Sequence, residues 1–286
     1  MTRKKHDVFD MPFIGYFILV IVGFAASQGG TIADTLLAYV IPGYGQVQKF
    51  GSIEVPVASG VCVALATLLC VVIFYFWFRP EFKGMIKLKG LGKGLLLLLP
   101  FLLFHYAGSV VSWFEWGTAS SFYTVFIMLL RATAPGFGEE ITYRGLGVAN
   151  YMRTIKSEDG IMPIFIVSSV TFGLVHITNA LAGAPLLISV IQSVYAIGVG
   201  MALAGVYLRT GNLLPTIIAH TTVDFLEFCR GDVGNSGGLM TQMGIGDWVT
   251  IAAGALGAVL GIMMVSKKHR PEIMKVWREK WCQVEG

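Results

Sequence analysis

The residues best suited to chemistry in this 286-residue chain are two adjacent carboxylates, Glu139 and Glu140, followed by Arg144. They lie in a strongly apolar context, where an ionisable side chain is costly to bury and is a candidate functional group. Glu140 and Arg144 are four residues apart, which on a helix allows an ion pair in the favourable order. Glu139 points to another side of such a helix and has no local partner, so it is the better candidate for chemistry.

Two histidines in later apolar segments could complete a site with Glu139. His176 follows Phe172 by four residues and His220 precedes Asp224 by four, so each pair shares one face of a helix. A carboxylate one turn from a histidine can fix the histidine's tautomer and orientation. A carboxylate base and two imidazoles are the groups that a water-activating hydrolase needs. A lone histidine in an apolar span is more often structural, so the prediction depends on all three occurring together.

The composition indicates a polytopic membrane protein. Hydrophobic residues make up 55% of the chain and charged residues 13%, whereas a typical soluble domain is about 25% charged. The mean hydropathy is +0.71. We therefore predict an all-α fold, a bundle of about eight transmembrane helices. The fourth span is predicted to be split or kinked at Pro135-Gly136.

The apolar runs predict where the spans and the larger segments lie. A weakly amphipathic stretch, 31–40, is expected at the outer interface, and the tail, 267–286, either on an anionic membrane surface or in solvent. The predicted spans are 12–27, 55–78, 94–113, 120–152, 161–180, 184–208, 212–229 and 247–266. We divide the chain into N-terminal spans with a basic cytosolic loop, a core, and a last span with a basic amphipathic cytosolic tail: 1–119, 120–229 and 230–286.

The charge distribution predicts the orientation. Most of the 21 Lys and Arg residues fall in the terminal segments and in loops on one side of the predicted membrane. The positive-inside rule then places both termini in the cytosol, in an integral multi-pass protein whose first span is retained. The four cysteines have neither disulfide nor metal-ligand spacing. We expect membrane lipids around the chain and no nucleic-acid partner.

The motifs E-E-x-x-x-R, F-x-x-x-H and H-x-x-x-[N/D], in this order on successive spans, resemble the CAAX protease and bacteriocin-processing family, called CPBP or Abi. That family includes the type II CAAX prenyl endopeptidases, and the resemblance covers roughly residues 120–229. It implies an intramembrane endopeptidase in which Glu139 and His176 activate the attacking water. It also implies that Glu140 and Arg144 support the local geometry, with Phe172 as a further structural residue.

By the same resemblance, His220 and the residue four positions later stabilise the oxyanion. The family often has asparagine at that later position, whereas this chain has Asp224. An ionised aspartate cannot donate a hydrogen bond. Either Asp224 is protonated, or it orients a protonated His220, which then donates alone.

Two mechanisms fit these residues. Glu139, His176 and His220 could hold a divalent metal such as zinc with an open coordination position. Alternatively, Glu139 acts as general base without a metal, and we favour this because the chain has no HExxH helix and Glu140 is expected to be engaged by Arg144. We therefore expect no cofactor, and a peptide or membrane-associated protein as substrate, prenylated or not. The competing function is a non-proteolytic membrane scaffold, immunity or regulatory protein of the same family.

Overall fold

The computed structural model describes residues 7–41, 47–50, 53–56, 60–119, 121–235 and 239–282. Within these ranges the chain is mainly helical, which confirms the predicted all-α class. Between α4 and α5 lies a π-helix (Glu140–Val148), and between α6 and α7 lies a 3-10 helix (His176–Ala182). A short antiparallel hairpin, β1 (Val47–Phe50) and β2 (Ile53–Pro56), precedes α2. The α-helices are α1 (Pro12–Val40), α2 (Val61–Phe78), α3 (Leu91–Trp116), α4 (Phe122–Glu139), α5 (Ala149–Thr154), α6 (Ile161–Val175), α7 (Leu186–Thr210), α8 (Leu214–Phe228), α9 (Gly231–Asn235), α10 (Ile245–Met264) and α11 (Arg270–Lys280). Single 3-10 turns occur at Asp7–Asp10, Glu158–Gly160 and Lys267–His269.

Several helices have the length and composition needed to cross a bilayer, and the chain is an integral multi-pass membrane protein. Among the described residues these helices number six: Pro12–Leu37, Val61–Phe78, Leu91–Trp116, Glu158–Ala182, Leu186–Thr210 and Ile245–Met264. Large apolar side chains stay exposed on their outer faces, as contact with lipid requires.

The other two predicted spans are also helical, and the parts of them that bear the candidate site residues are largely buried. The 15 residues of α8 rise about 22 Å, less than the ~30 Å of a hydrocarbon core. This helix packs against α3 and α4. All residues of the π-helix that follows α4 are buried. The segments with the candidate site residues are therefore enclosed by the longer apolar helices.

The first predicted span ends too early, because α1 continues as one helix through the stretch 31–40 that was expected at the interface. The threonine hydroxyls there bond back to helical carbonyls, Thr31 to Ser27 at 3.2 Å and Thr35 to Thr31 at 2.9 Å. Asp34 accepts the backbone N–H of Gly60 at 3.2 Å, at the start of α2. The polar side chains of this stretch therefore bond to the helix itself and to its neighbour.

Glycines allow α7 and α10 to approach closely. A Cβ on Gly198 would lie 2.6 Å from the carbonyl carbon of Gly254, and one on Gly205 would lie 3.1 Å from the Cα of Gly261. Small residues serve this purpose in membrane helices, where close backbone packing replaces the hydrophobic effect between helices. The backbone of α7 that supports the site is fixed from behind by α10.

Over residues 267–282 the C-terminal segment packs one face against the bundle and leaves the other face exposed, a docking that neither expectation for it included. The indole N–H of Trp277 donates to the Leu208 carbonyl at 3.0 Å, and that of Trp281 to the Ala149 carbonyl at 3.0 Å. Lys280 donates to the Gly211 carbonyl. Helix C-termini leave carbonyls without intrahelical donors, and α11 supplies donors to the ends of α7 and of the π-helix region.

Candidate active site

The helix with the paired carboxylates is divided, but not at its proline. α4 continues through Pro135 to Glu139, and the change in geometry falls at Glu140, where the π-helix begins. Gly136 lies inside α4, and a Cβ there would come 3.0 Å from the backbone nitrogen of Thr221 on α8. The Pro135-Gly136 pair therefore permits a close helix crossing rather than a break, which corrects the predicted position of the division.

The π-helix places the motif at an unusual backbone geometry. Its hydrogen bonds span five residues, and such segments are rare and often occur at functional sites. Glu139 ends the α-helical ladder and Glu140 begins the π-helical one. The side chain of Glu139 stays 30% exposed, whereas that of Glu140 is fully buried. The two neighbouring carboxylates thus occupy different environments.

Glu140 is held by a buried ion pair. Arg144 Nη1 donates to Glu140 Oε1 at 2.8 Å, and Nη2 donates to the Gly200 carbonyl at 3.1 Å. The guanidinium carbon lies 4.3 Å from the ring centre of Phe172, close enough for a cation–π contact. Both members of the ion pair are inaccessible to solvent. The ion pair that the sequence spacing predicted is therefore present, and the contacts of Arg144 connect the π-helix to α7 and α6.

His220 joins the two carboxylates through its two ring nitrogens. Its Nδ1 lies 3.0 Å from Glu140 Oε1. Because a carboxylate paired with arginine only accepts, His220 Nδ1 carries the proton and donates. The opposite nitrogen, Nε2, lies 3.6 Å from Asp224 Oδ2 and 3.9 Å from Glu139 Oε2. Glu140 therefore fixes the tautomer, and Nε2 is directed toward the more exposed acids.

Phe172 lies between the two histidines. Its ring centre is 5.2 Å from that of His176 and 5.6 Å from that of His220, both edge to face. His176 Nδ1 lies 3.0 Å from the Phe172 carbonyl oxygen. A carbonyl only accepts, so Nδ1–H donates and Nε2 of His176 has a free lone pair. Phe172 thereby orients His176 through its backbone and packs on His220 through its ring.

One cavity brings together four candidate residues from three separate segments. Its volume is about 690 Å³, and Glu139, His176, His220 and Asp224 all contribute to its wall. Glu139 Oε2 has no hydrogen-bond partner among the described residues. A concave site that contains a carboxylate with an unsatisfied oxygen next to imidazoles is suited to binding and polarising a water or a peptide group.

Sequence reasoning did not find the remaining polar residues of the cavity wall. Asn179 donates its side-chain N–H to Gln192 Oε1 at 2.9 Å, which links the 3-10 helix to α7. Thr142 and Tyr143 also line the cavity. The sequence signal that could have indicated Asn179 was its position three residues after His176. In the structure α6 ends at Val175, and both residues lie in the 3-10 helix that follows.

The zinc alternative would need Glu139, His176 and His220 as ligands. Within the described ranges, no three His, Cys, Asp or Glu side chains are grouped so that they could hold a metal ion. His220 Nδ1 is engaged by Glu140, and His176 Nδ1 is engaged by a backbone carbonyl.

Fold and site together define a helical membrane protein with an acid-and-histidine cavity inside its bundle. The sequence model of the family described as Type II CAAX prenyl endopeptidase Rce1-like matches residues 121–226. Comparisons with curated proteins and with solved structures each found no match. This match confirms the resemblance that the three motifs indicated, over residues 121–226.

Proposed function

We propose that this chain is an intramembrane endopeptidase that hydrolyses a peptide bond with Glu139 as general base. The observation that carries the proposal is the shared cavity. Glu139, His176 and His220 lie far apart in sequence, on α4, at the end of α6 and on α8, yet all line the same 690 Å³ space. Structural histidines that merely join helices would have no reason to face one open cavity with an unsatisfied carboxylate oxygen.

Glu139 and His176 activate the attacking water. Glu139 Oε2 has no hydrogen-bond partner among the described residues, and in this proposal it accepts the proton of the water. The Phe172 carbonyl fixes the proton of His176 on Nδ1, so the Nε2 lone pair can accept a second hydrogen bond from the same water. Two acceptors on one water orient its remaining lone pair toward the substrate carbonyl carbon.

His220 stabilises the oxyanion from the other side. Its Nδ1–H is held by Glu140, so a proton on Nε2 makes the ring an imidazolium that faces Glu139 and Asp224. Asp224 supplies the negative charge that favours this imidazolium, and it need not donate a hydrogen bond itself. Of the two roles predicted for Asp224, we therefore favour the one in which it orients and charge-balances a protonated His220. A donor directed at the developing oxyanion is worth roughly 10²–10³ in rate.

The reaction balances without any further group. Water adds to the carbonyl carbon as its proton moves to Glu139, and the carbonyl oxygen becomes the oxyanion that His220 stabilises. Collapse of this intermediate breaks the C–N bond as Glu139 returns the proton to the leaving nitrogen. The products are a new carboxyl terminus and a new amino terminus, and Glu139 is again ionised.

We extend the proposal to the setting of the reaction. Both termini are cytosolic, which the Lys and Arg bias of the sequence supports. The substrate is a peptide or a membrane-associated protein that reaches the cavity in or near the bilayer, and no metal takes part.

To test the proposal, the protein is purified in detergent and incubated with two peptides, one farnesylated and ending in a CAAX box, the other an unprenylated leader-type peptide. Mass spectrometry measures how much of each peptide is cleaved. Glu139→Gln, His176→Ala and His220→Ala should each reduce kcat/KM by about 100-fold or more. Glu158→Gln, in the turn before α6, is the control and should keep full activity. Each variant's thermal unfolding is recorded, so that loss of catalysis is separated from loss of fold.

Two outcomes would count against the proposal. Cleavage that survives all three substitutions would place the chemistry elsewhere. A folded wild-type protein that cleaves neither probe, and whose cellular effect persists in the Glu139→Gln variant, would favour the scaffold or regulatory function. Loss of cleavage on adding EDTA, with recovery on adding zinc, would contradict the metal-free mechanism alone.

A further inference from the structure

The basic segments of the chain meet at one end of the helical bundle. Glu272 on α11 pairs with Lys93 at 3.3 Å and with Arg209 at 2.9 Å. The backbone N–H of Lys83 donates to the Lys280 carbonyl at 3.0 Å. α11 also packs against α5 and the turn before α6. The loop after α2, the starts of α3 and α6, the end of α7 and α11 therefore lie together, and we call this the basic end.

Acidic residues meet at the opposite end. Arg230, after α8, pairs with Asp232 at 2.8 Å and with Asp247 near the start of α10. Glu115, near the end of α3, accepts the backbone N–H of the first residue of α10 at 2.7 Å. Most of the 21 Lys and Arg residues lie in the segments of the basic end. By the positive-inside rule, this bias supports a cytosolic position for the basic end.

The wall of the candidate active site extends toward the opposite end. His176 follows all 15 residues of α6, which rise about 22 Å from the basic end. Gln192 is six residues after the first residue of α7, a rise of about 9 Å from the opposite end. Phe228 is the last residue of α8, and Leu239 lies between α9 and α10. All four residues line the cavity, so its wall runs from the middle of the bundle to the opposite end.

The exposed part of the wall lies between α1 and the 3-10 helix. Phe24 and Gln28 on α1, and Thr178 and Leu181 on the 3-10 helix, line the cavity and are exposed. This 3-10 helix connects the end of α6 to the start of α7, at the opposite end of the bundle. We call these four residues the lip, because a peptide that enters here passes between them.

The hydrophobic core separates the cavity from the basic end. Leu213 and Ile217 precede His220 on α8 and are 0% and 2% exposed. They belong to one buried cluster with Met85, from the loop after α2, and Trp277, from α11. The described residues that line the cavity include none from α5, from α11 or from the loop after α2. A peptide that arrived from the basic end would have to displace this core.

We infer that the cavity receives its peptide from the non-cytosolic face of the membrane. The substrate is then a peptide segment exposed on that face or in the adjoining leaflet, and a segment confined to the cytosol cannot reach Glu139. The inference rests on the proposed endopeptidase function and on the cytosolic position of the basic end. It deepens that function by naming the side from which the substrate comes.

Thiol labelling tests the side without any catalysis. Cys282 is exposed at the basic end and is the natural control, so one protein keeps it while the other three cysteines are replaced by alanine. In a second protein Cys282 is also replaced, by serine, and Thr178→Cys puts the single thiol in the lip. A membrane-impermeant maleimide should label Thr178→Cys equally in intact and permeabilised cells, and Cys282 only after permeabilisation. Gln28→Cys, on the other side of the lip, repeats the measurement should Thr178→Cys not fold.

The labelling pattern separates the two premises. Labelling of both thiols only after permeabilisation would overturn the inference and leave the orientation of the termini intact. Labelling of Cys282 in intact cells, with the lip thiol protected, would overturn the inference together with the proposed orientation.

Sided membrane vesicles test whether the same entrance serves cleavage. The leader-type peptide is added outside right-side-out or inverted vesicles, and vesicles with Glu139→Gln protein give the background. Right-side-out vesicles should cleave the peptide equally with and without detergent, whereas inverted vesicles should cleave it only after detergent opens them. The reverse pattern would overturn the inference. Cleavage by neither preparation, even in detergent, would instead contradict the endopeptidase function, while the labelling would still decide the side on which the cavity opens.

Discussion

Replacement of Arg144 by methionine tests whether the buried ion pair holds the site together. The substitution removes the 2.8 Å contact with Glu140, the 3.1 Å contact with the Gly200 carbonyl and the stacking on Phe172. Glu140 would remain as a fully buried carboxylate without a cationic partner on its own helix, and His220 Nδ1 would still donate to it. Methionine fills much of the same volume, so the change is mainly electrostatic.

The expected cost follows from the burial of both partners. Removal of one member of a buried ion pair destabilises a protein by about 3–5 kcal/mol, because the other charge is left uncompensated. For a chain of this size, each kcal/mol lowers Tm by about 2–4 °C. Arg144→Met should therefore lower Tm by at least about 6 °C. The double variant Glu140→Gln/Arg144→Met, which buries no unpaired charge, should recover about half of that loss or more.

The assay is thermal unfolding in detergent, followed through the fluorescence of the buried indoles of Trp277 and Trp281. The matched control is Lys93→Met, which breaks the 3.3 Å pair with Glu272, whose side chains are 58% and 47% exposed. Surface pairs contribute about 0–1 kcal/mol, so this control should shift Tm by only a few degrees at most. Equal shifts for Arg144→Met and Lys93→Met would refute the argument that burial makes the Glu140–Arg144 pair essential.

Two further predictions concern the parts of the fold that support the site. Burial, and secondarily Lys87, lowers the pKa of Lys280 to about 7 from 10.5. Between pH 7 and pH 10.5, Lys280 is protonated in the unfolded chain but mostly neutral in the folded protein. The free energy of unfolding therefore rises with pH, by about 2 kcal/mol from pH 7 to pH 9. Lys280→Met should remove that contribution in paired Tm measurements, and an unchanged pH slope would contradict it. Gly198→Ala places a Cβ 2.6 Å from the carbonyl carbon of Gly254 and should destabilise the protein by about 1–3 kcal/mol. Gly92→Ala, which meets nothing within 4 Å, should cost nothing measurable in the same unfolding assay.

The sequence was sufficient to predict the helical membrane class and the convergence of the site. Long apolar runs leave few alternatives to helices, because a bilayer requires every backbone group to be bonded internally. Charged residues in those runs must meet one another, so the pairing of Glu140 with Arg144 and the meeting of His220 with Asp224 followed from spacing alone. Predictions from local periodicity worked where the partner lay one helical turn away.

Interactions between distant segments could not be predicted in this way. The length of α1 depends on Asp34, which receives a backbone N–H from the start of α2. The docking of the C-terminal helix depends on carbonyls at the ends of other helices, which accept from Trp277 and Trp281. The π-helix cannot be read from composition, because the same residues would fit an α-helix. The errors at α1 and at the C-terminal helix came from contacts whose two partners are far apart in the chain.

The structure also explains how two adjacent glutamates can have different tasks. On a helix they point about 100° apart, but direction alone does not decide which one is ionised, paired or free. His220 makes that division, since its Nδ1 is turned to Glu140 and its Nε2 to Glu139. Arg144 then neutralises Glu140, so the ring is held without consuming the charge of Glu139. The buried glutamate serves as the anchor of the histidine, and this leaves Glu139 with an unsatisfied oxygen in the cavity wall, as its proposed role of general base requires.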